Sequence, residues 1–366
     1  MERQLPGERK GGCALAMALR RTGKNYTLRA KPFAPKVLLH SQDGRMYHKI
    51  LAAVLSMALS CGPLSAQGWP ERTVTIVVPF IAGSTPDSIT RIVAERLQAR
   101  LNQPFVVENK AGASGNTGTA AVAKAAPDGH TLGVSIVGPL VINAMLFAKM
   151  PYDTAKEIAP ITIVAAQPSI LATNPSVGAK SVKDLLEMME RDPDNFTYGS
   201  IGRGSLSHLA MASLAAKAGA RVVHLPFPGS PAAVTALLRG DVQMAVLPAA
   251  SVVPQGRDGK LTLLAVTSPQ RSPLLPDLPT LREAGIAGVE ADAWVGLIAP
   301  VGTPAATLSK IHAEVVAVLA EPAVVEKLKP QFMVPVGNTP AQFRAVLKEE
   351  HDRWAPIIAE SGIKAE

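Results

Sequence analysis

Two cysteines in 366 residues, Cys13 and Cys61, are all the thiol chemistry this chain carries, and both lie before residue 67. If the chain is cut there, disulfides, cysteine nucleophiles and thiolate metal sites are excluded from what remains. Aromatic residues are scarce as well, at 4 %, too few for the stacking platforms on which single-stranded nucleic acids are read. Charge of one sign is missing where it would matter. Of the 37 Lys and Arg and the 29 Asp and Glu, 11 and 3 fall in residues 1–66, which leaves 26 against 26 in the other 300. The formal +8 therefore belongs to the leader, and the rest lacks the electrostatic footprint of a nucleic-acid binder, so no nucleic acid is expected as a partner. What is present is a 47 % hydrophobic composition, enough for one large core or two ordinary ones, which excludes disordered and fibrous classes.

The leader has its own pattern. Arg45, His48 and Lys49 precede an uncharged stretch from Ile50 to Cys61, shorter than the roughly 20 residues of a membrane-spanning helix, and Gly62-Pro63-Leu64-Ser65-Ala66 ends in small residues. Residues 46–66 thus read as a signal peptide cleaved after Ala66. Residues 1–45 are basic and unpatterned and read as an over-extended start, with Met46 the true one, or as a genuine extension. A lipoprotein reading through Cys61 is weaker, because Leu59 stands in an unfavourable place before it.

Beyond the leader the chain alternates. Thr73 to Phe80 is a β-branched run closed by proline, a buried parallel strand; Thr85-Pro86 opens a helix on which Ile89, Ile92, Val93, Leu97 and Leu101 recur at helical spacing. Pro104 to Asn109 and Thr131 to Val137 read as strands around an alanine-rich helix from Ser114 to Ala126. Glu157 to Ala172 is a long apolar stretch that leaves the first lobe near Gln167-Pro168. A second cycle follows: a helix capped by Ser181, strands at 197–200, 222–225, 242–247 and 261–267, and helices at 206–218 and 232–239. Trp294 to Ala299 adds a strand, and three helices from Pro304 carry the chain to Lys364. The expected class is α/β with mostly parallel sheets and ligands at the carboxyl ends of strands, in two lobes, 67–167 with 294–366 and 168–293.

Two loops carry chemistry. Ala82-Gly83-Ser84-Thr85-Pro86-Asp87 leaves a strand and opens a helix, so it reads either as an anion pocket built on the helix N-terminus or as a tight turn that needs glycine only for its backbone angles. Asp87 then binds ligand or simply favours the helix dipole. Ser200-Ile201-Gly202-Arg203-Gly204-Ser205-Leu206-Ser207-His208 repeats the arrangement in the second lobe, and two such loops facing each other would clamp a small acid. Competing chemistry is poorly supported. Ser205 and His208 are three apart on one helix, yet no G-x-S-x-G elbow surrounds the serine and no carboxylate is evident behind the histidine. Gly112, Gly115 and Gly118 are spaced G-x-x-G-x-x-G, which misses the dinucleotide fingerprint, and His130, His208 and His224 lack metal-ligand spacing. No cofactor and no metal are expected.

Detailed strings point to a family. They include Val77-Val78-Pro79-Phe80 with Ala82-Gly83 and Asp87, Val106-Val107-Glu108-Asn109-Lys110 with Gly112, Pro127-Asp128-Gly129-His130-Thr131-Leu132, and Pro151-Tyr152-Asp153. Tyr198-Gly199-Ser200 through His208-Leu209, His224-Leu225-Pro226-Phe227, Pro276-Asp277-Leu278-Pro279-Thr280 and Gly302-Thr303-Pro304 continue the series. On these strings, from Trp69 to Lys364, the chain resembles the Bug family of periplasmic solute-binding proteins, the TctC-like receptors of tripartite tricarboxylate transporters. The resemblance implies a two-lobe, type II periplasmic-binding-protein (Venus-flytrap) fold and a monomer. It also implies a small organic carboxylate held between the lobes by backbone N–H groups and water, and delivery to TctA/TctB-like membrane subunits rather than catalysis. Carried over by position, Phe80, Ala82, Gly83, Ser84, Thr85 and Asp87 form the first-lobe loop, and Ser200, Gly202, Gly204, Ser205 and His208 the second, with Phe227 and Gly229 a wall. Ser84 replaces a usual second glycine, Phe227-Pro228 a usual Tyr-Lys, and Leu247-Pro248-Ala249 a stretch that commonly carries an asparagine. With no basic side chain evidently aimed at the cleft, the expected ligand has an apolar or aromatic end rather than several charges. A ligand sensor for a signalling system is the alternative, and an exported hydrolase with a reactive Ser205 a more distant one.

Overall fold

The structure, a computed structural model, describes residues 68–192 and 195–364. The expected signal peptide, both cysteines and the 1–45 extension lie outside the described residues. The chain enters through β1 (Val74–Val78), buried along almost its whole length, and leaves it by a turn into α1 (Thr85–Leu101). Pro86 sits in the first turn of α1, where its missing N–H has no intrahelical partner to lose. Ile89, Val93 and Leu97, four apart, are buried against the sheet, each contributing on the order of 1.5–3 kcal/mol. Asn102 in the left-handed region ends the helix.

β2 (Phe105–Asn109) and β3 (Thr131–Ser135) both pair in parallel with β1, and α2 (Asn116–Ala123) connects them. The helix expected from Ser114 starts only at Asn116, because Ala113 and Ser114 take left-handed backbone angles that cannot join it. After β3 a π-helical turn (Gly138–Ile142) runs into the short α3 (Asn143–Leu146), a segment the sequence reading does not anticipate. It is pinned by the Tyr152 hydroxyl donating to the Pro139 carbonyl at 2.6 Å and by Asn143 Nδ2 donating to Asn116 Oδ1 at 2.7 Å. One more turn, α4 (Thr154–Glu157), leads to β4 (Ile158–Gln167).

Pro168, which has no N–H to donate, separates β4 from β5 (Ser169–Thr173), and the two strands belong to different sheets. α5 (Val182–Arg191), β6 (Thr197–Ser200), α6 (Leu206–Lys217), β7 (Val223–Pro226), α7 (Ser230–Arg239), β8 (Met244–Pro248), α8 (Ala249–Arg257) and β9 (Thr262–Val266) complete the second lobe's succession. β10 (Ala293–Pro300) returns to the first sheet. α9 (Ala305–Leu319), α10 (Pro322–Leu328), the two-residue β11 (Val334–Pro335) and α11 (Pro340–Ser361) follow. The sheets are ordered β11-β4-β10-β3-β1-β2 and β7-β6-β8-β5-β9.

The expectation of mostly parallel sheets is corrected. Four strand pairings are parallel, and five are antiparallel. The parallel ones are the helix-connected units within each lobe. The antiparallel ones all involve β4, β5 or β10, strands that pass from one sheet to the other without a helical crossover to impose a common direction. α11 packs on both β4 and α6, so Trp354 and Ile358 join Val141 and Leu146 to Leu209 and Leu214 in one buried cluster shared by the two lobes.

Candidate ligand-binding site

The first loop follows the carboxyl end of β1 and is organised around Asp87. This carboxylate is 2 % exposed; Oδ2 accepts from Gly83 N–H at 2.8 Å and Arg91 Nε at 3.0 Å, and Oδ1 from Asn109 Nδ2 at 2.9 Å. Burial opposes its charge, but donation by Arg91, Gly83 and Asn109 outweighs burial and holds its pKa below the ordinary value. Asp87 is thus fully engaged and turned inward, holding the loop in shape. Asn109 Nδ2 also donates to the Phe80 carbonyl at 3.0 Å, and the Phe80 ring lies over Gly115. Gly83, at φ 80°, donates its N–H to Asp87 and has none left to offer, whereas Ala82 and Thr85 keep theirs unpaired among the described residues. The Ser84 hydroxyl is sealed from solvent with no hydrogen-bond partner among the described residues.

The second loop follows the carboxyl end of β6 and is organised around His208. Ser205 caps α6: its Oγ accepts the His208 N–H at 3.3 Å and donates to the Gly202 carbonyl at 2.7 Å. His208, 4 % exposed, takes the Gly204 N–H on Nδ1 at 2.9 Å, so a neutral ring carries its proton on Nε2. Its ring stacks on His224 at 3.7 Å, and His224 stacks on Tyr198 at 4.9 Å. The His224 Nε2 meets Ser200 Oγ at 2.7 Å. Burial first, then His224 and Arg203, pushes the His208 pKa down to about 3; burial and Arg203 push His224 down to about 4. Both imidazoles are neutral at pH 7. Phe227, half-buried, lays its ring against Gly199 and donates its N–H to the Ser200 carbonyl at 2.9 Å, and Gly229 at φ 93° turns the chain into α7.

Leu146 packs against the second loop. A Cβ placed on Gly204, which has φ 72°, would lie 2.3 Å from Leu146 Cδ1. Leu146 ends the segment that leaves β3, the neighbour of β1, so the second loop abuts the carboxyl end of the first sheet. Three features lie beyond the sequence reading. Gly112, Ala113, Ser114 and Gly115 form an unbroken left-handed run after β2, with the Ser114 carbonyl held by Asn143 Nδ2 at 3.2 Å; strain at two non-glycine residues in succession marks the carboxyl end of this sheet. The glycines bracketing that run were the available signal. The His208–His224–Tyr198 stack depends on strand register, since Tyr198 pairs with His224. Arg203 stands exposed at the tip of the second loop.

Residues 89–363 match the family described as tripartite tricarboxylate transporter family receptor (TctC). The chain belongs to that receptor family. It is 33 % identical over 316 residues to protein BugT of Bordetella pertussis, covering 86 % of this chain and 97 % of the relative. R. palustris Rpa4515, solved with adipate, is 32 % identical at a TM-score of 0.71, covering 81 % of this chain and 99 % of that one. MatC from Rhodopseudomonas palustris, solved with bound malate, is 32 % identical at a TM-score of 0.67, covering 79 % and 100 %.

TctC-type proteins are solute receptors and not enzymes, and the two-lobe fold is that of periplasmic binding proteins. The geometry of this receptor's Ser205 agrees: its hydroxyl proton goes to Gly202 and not to an imidazole. Among the described residues no three His, Cys, Asp or Glu side chains converge on a metal position, and no helix is long and apolar enough to cross a membrane. Two surface concavities of about 590 and 520 Å³, both bordered by Arg257 and Leu274, lie away from the two loops.

Proposed function

We propose that this chain is a periplasmic receptor that binds a small organic carboxylate between the first loop, Phe80 to Asp87, and the second, Ser200 to His208, and delivers it to the membrane subunits of a tripartite tricarboxylate-type transporter. The observation that carries the reading is the pair of internally braced loops, each opening a helix. Their own side chains satisfy the loop interior, while the N–H groups of Ala82, Thr85, Leu206 and Ser207 remain without partners among the described residues. Backbone donors at helix N-termini suit a carboxylate. Adipate and malate on two relatives support the ligand class. Function is capture and release through a shift between open and closed lobes, with no bond made or broken.

The test is a thermal-shift and calorimetric screen of the purified protein, before and after unfolding and refolding to strip any co-purified ligand, against mono-, di- and tricarboxylates, aromatic acids and amino acids. A ligand at 100 times its Kd adds about 2.7 kcal/mol, or roughly 4 °C for a chain of this size. The absence of a shift with every carboxylate after refolding would overturn the assignment.

A further inference from the structure

Phe332 and Met333 are neighbours in the chain, yet they are buried in different cores. Met333 joins Val295, Val318 and Leu328 in the core of the first sheet. Phe332, 8 % exposed, belongs to the core of the second sheet, a cluster whose every other member lies between Ile170 and Leu278. A left-handed residue makes the division: after α10 a single 3-10 turn (Lys329–Gln331) ends on Phe332 at φ 54° and ψ 25°. A bulky side chain rarely takes these angles, and such strain persists only where the surroundings hold it. Arg257, at the end of α8, lays its guanidinium over the ring at 5.5 Å from the centroid. Val334, two residues on, pairs with Ala166, so the ring sits beside Pro168, where β4 gives way to β5. The opposite face of the second sheet is held by α11: Leu171 of β5 shares a cluster with Trp354 and Ile358, whereas Ile170 and Ala172, on the alternate face, share one with Phe332. A concavity of about 590 Å³ opens against the ring, between Pro254, Arg257 and Leu274 on one side and Lys329 and Pro330 on the other.

We propose that Phe332 is an inter-lobe latch: its ring, carried on a segment anchored to the first sheet and seated in the core of the second, holds the lobes at one setting and leaves that seat when they rotate about residues 167–169. The inference rests on the lobe motion proposed above and not on the identity of the ligand. Met333 is fixed in the first core, so a rotation that carries the second sheet away pulls on the residue next to it. Two terms oppose each other there. Apolar burial and the Arg257 contact keep the ring seated, while its release into the neighbouring concavity frees Phe332 from the left-handed region. A contact of this kind has two discrete states, which is what a hinge between lobes needs in order to rest at one setting and still move.

The test contains no ligand, so its failure leaves the receptor assignment standing. Spin labels at Q98C on α1 and K183C on α5, both exposed, in the full chain carrying C13S and C61S, report the distance between the lobes by double electron–electron resonance. With Phe332 in place one narrow distance population is expected, and F332A broadens it or adds a second. F332L, which keeps an apolar side chain but gives Arg257 no ring, produces an intermediate distribution and serves where F332A does not fold. L237A opens a cavity in the same core, so it lowers the melting temperature without changing the distribution. Because glycine accepts φ 54°, F332G melts at or above F332A, the reverse of their usual order. Distributions for F332A and F332L that superimpose on the parent, or one for L237A as broad as that of F332A, overturn the latch. Melting of F332G well below F332A overturns the strain that its release is proposed to relieve.

Discussion

Replacing Asp292 by asparagine is expected to stabilise the protein most above neutral pH, with the gain shrinking as pH falls and gone below about pH 4. Asp292 precedes β10, where the chain returns to the first sheet, and its Oδ1 is sealed from water without a partner among the described residues. Glu350 on α11 and Glu290 on its own segment face it, and Arg353 is the one cation acting on it. Glu350 is itself buried, bonded to Trp354 Nε1 at 2.6 Å, and burial raises its pKa too. Burial first, then Glu350, pushes the Asp292 carboxyl up to about 7 from an ordinary 3.8. Between those two values the folded chain keeps a proton that the unfolded chain has released, so stability falls as pH rises, and the loss is complete just above pH 7. A gap of about three pH units at roughly 1.36 kcal/mol each sets a ceiling near 4 kcal/mol. Asp292 is not wholly enclosed, and relaxation around the charge brings the expected effect to about 1–2 kcal/mol. Urea denaturation at pH 5 and pH 8, followed by the fluorescence of the buried Trp294 and Trp354, measures it directly. No gain for D292N at pH 8, or an equal gain at both pH values, would refute the argument.

The histidine stack predicts the opposite limb. Because His208 and His224 titrate near 3 and 4 when folded and near 6.5 when unfolded, the unfolded chain takes up protons first as pH falls below 6.5, and stability drops toward pH 4. H224Q is expected to flatten this acid limb by about 1–2 kcal/mol after allowance for partial solvent screening; parallel stability profiles for variant and wild type between pH 7 and 4.5 would count against it. Gly118 gives a packing test. A Cβ there would meet Pro79 Cα at 2.6 Å and the Lys110 carbonyl at 2.7 Å, both backbone, so G118A must displace α2 and is expected to cost about 2–3 kcal/mol. A G118A melting curve within a degree of the wild type would show that no such close approach exists.

How far the sequence reaches differs between fold and site. β1 and α1 are legible because every signal is local: a β-branched run, then Thr-Pro, then apolar residues at 3.6-residue spacing, each agreeing with the next. α8 is not legible, because Pro254 and Gly256 argue against a helix and only the burial of Val252 and Val253 in the second lobe's core overrides them. The crossing strands fail for another reason. Direction in a sheet is set by which neighbour a strand finds, and the 158–173 run says nothing about that.

The loops were visible as Gly, Ser and Thr-Pro before a helix, but their wiring was not. Asp87 is completed by Asn109, 22 residues away, and His208 by a ring on the neighbouring strand. Local pattern therefore shows where each strand turns into a helix, while the contacts that brace each turn are set by packing between residues far apart in sequence.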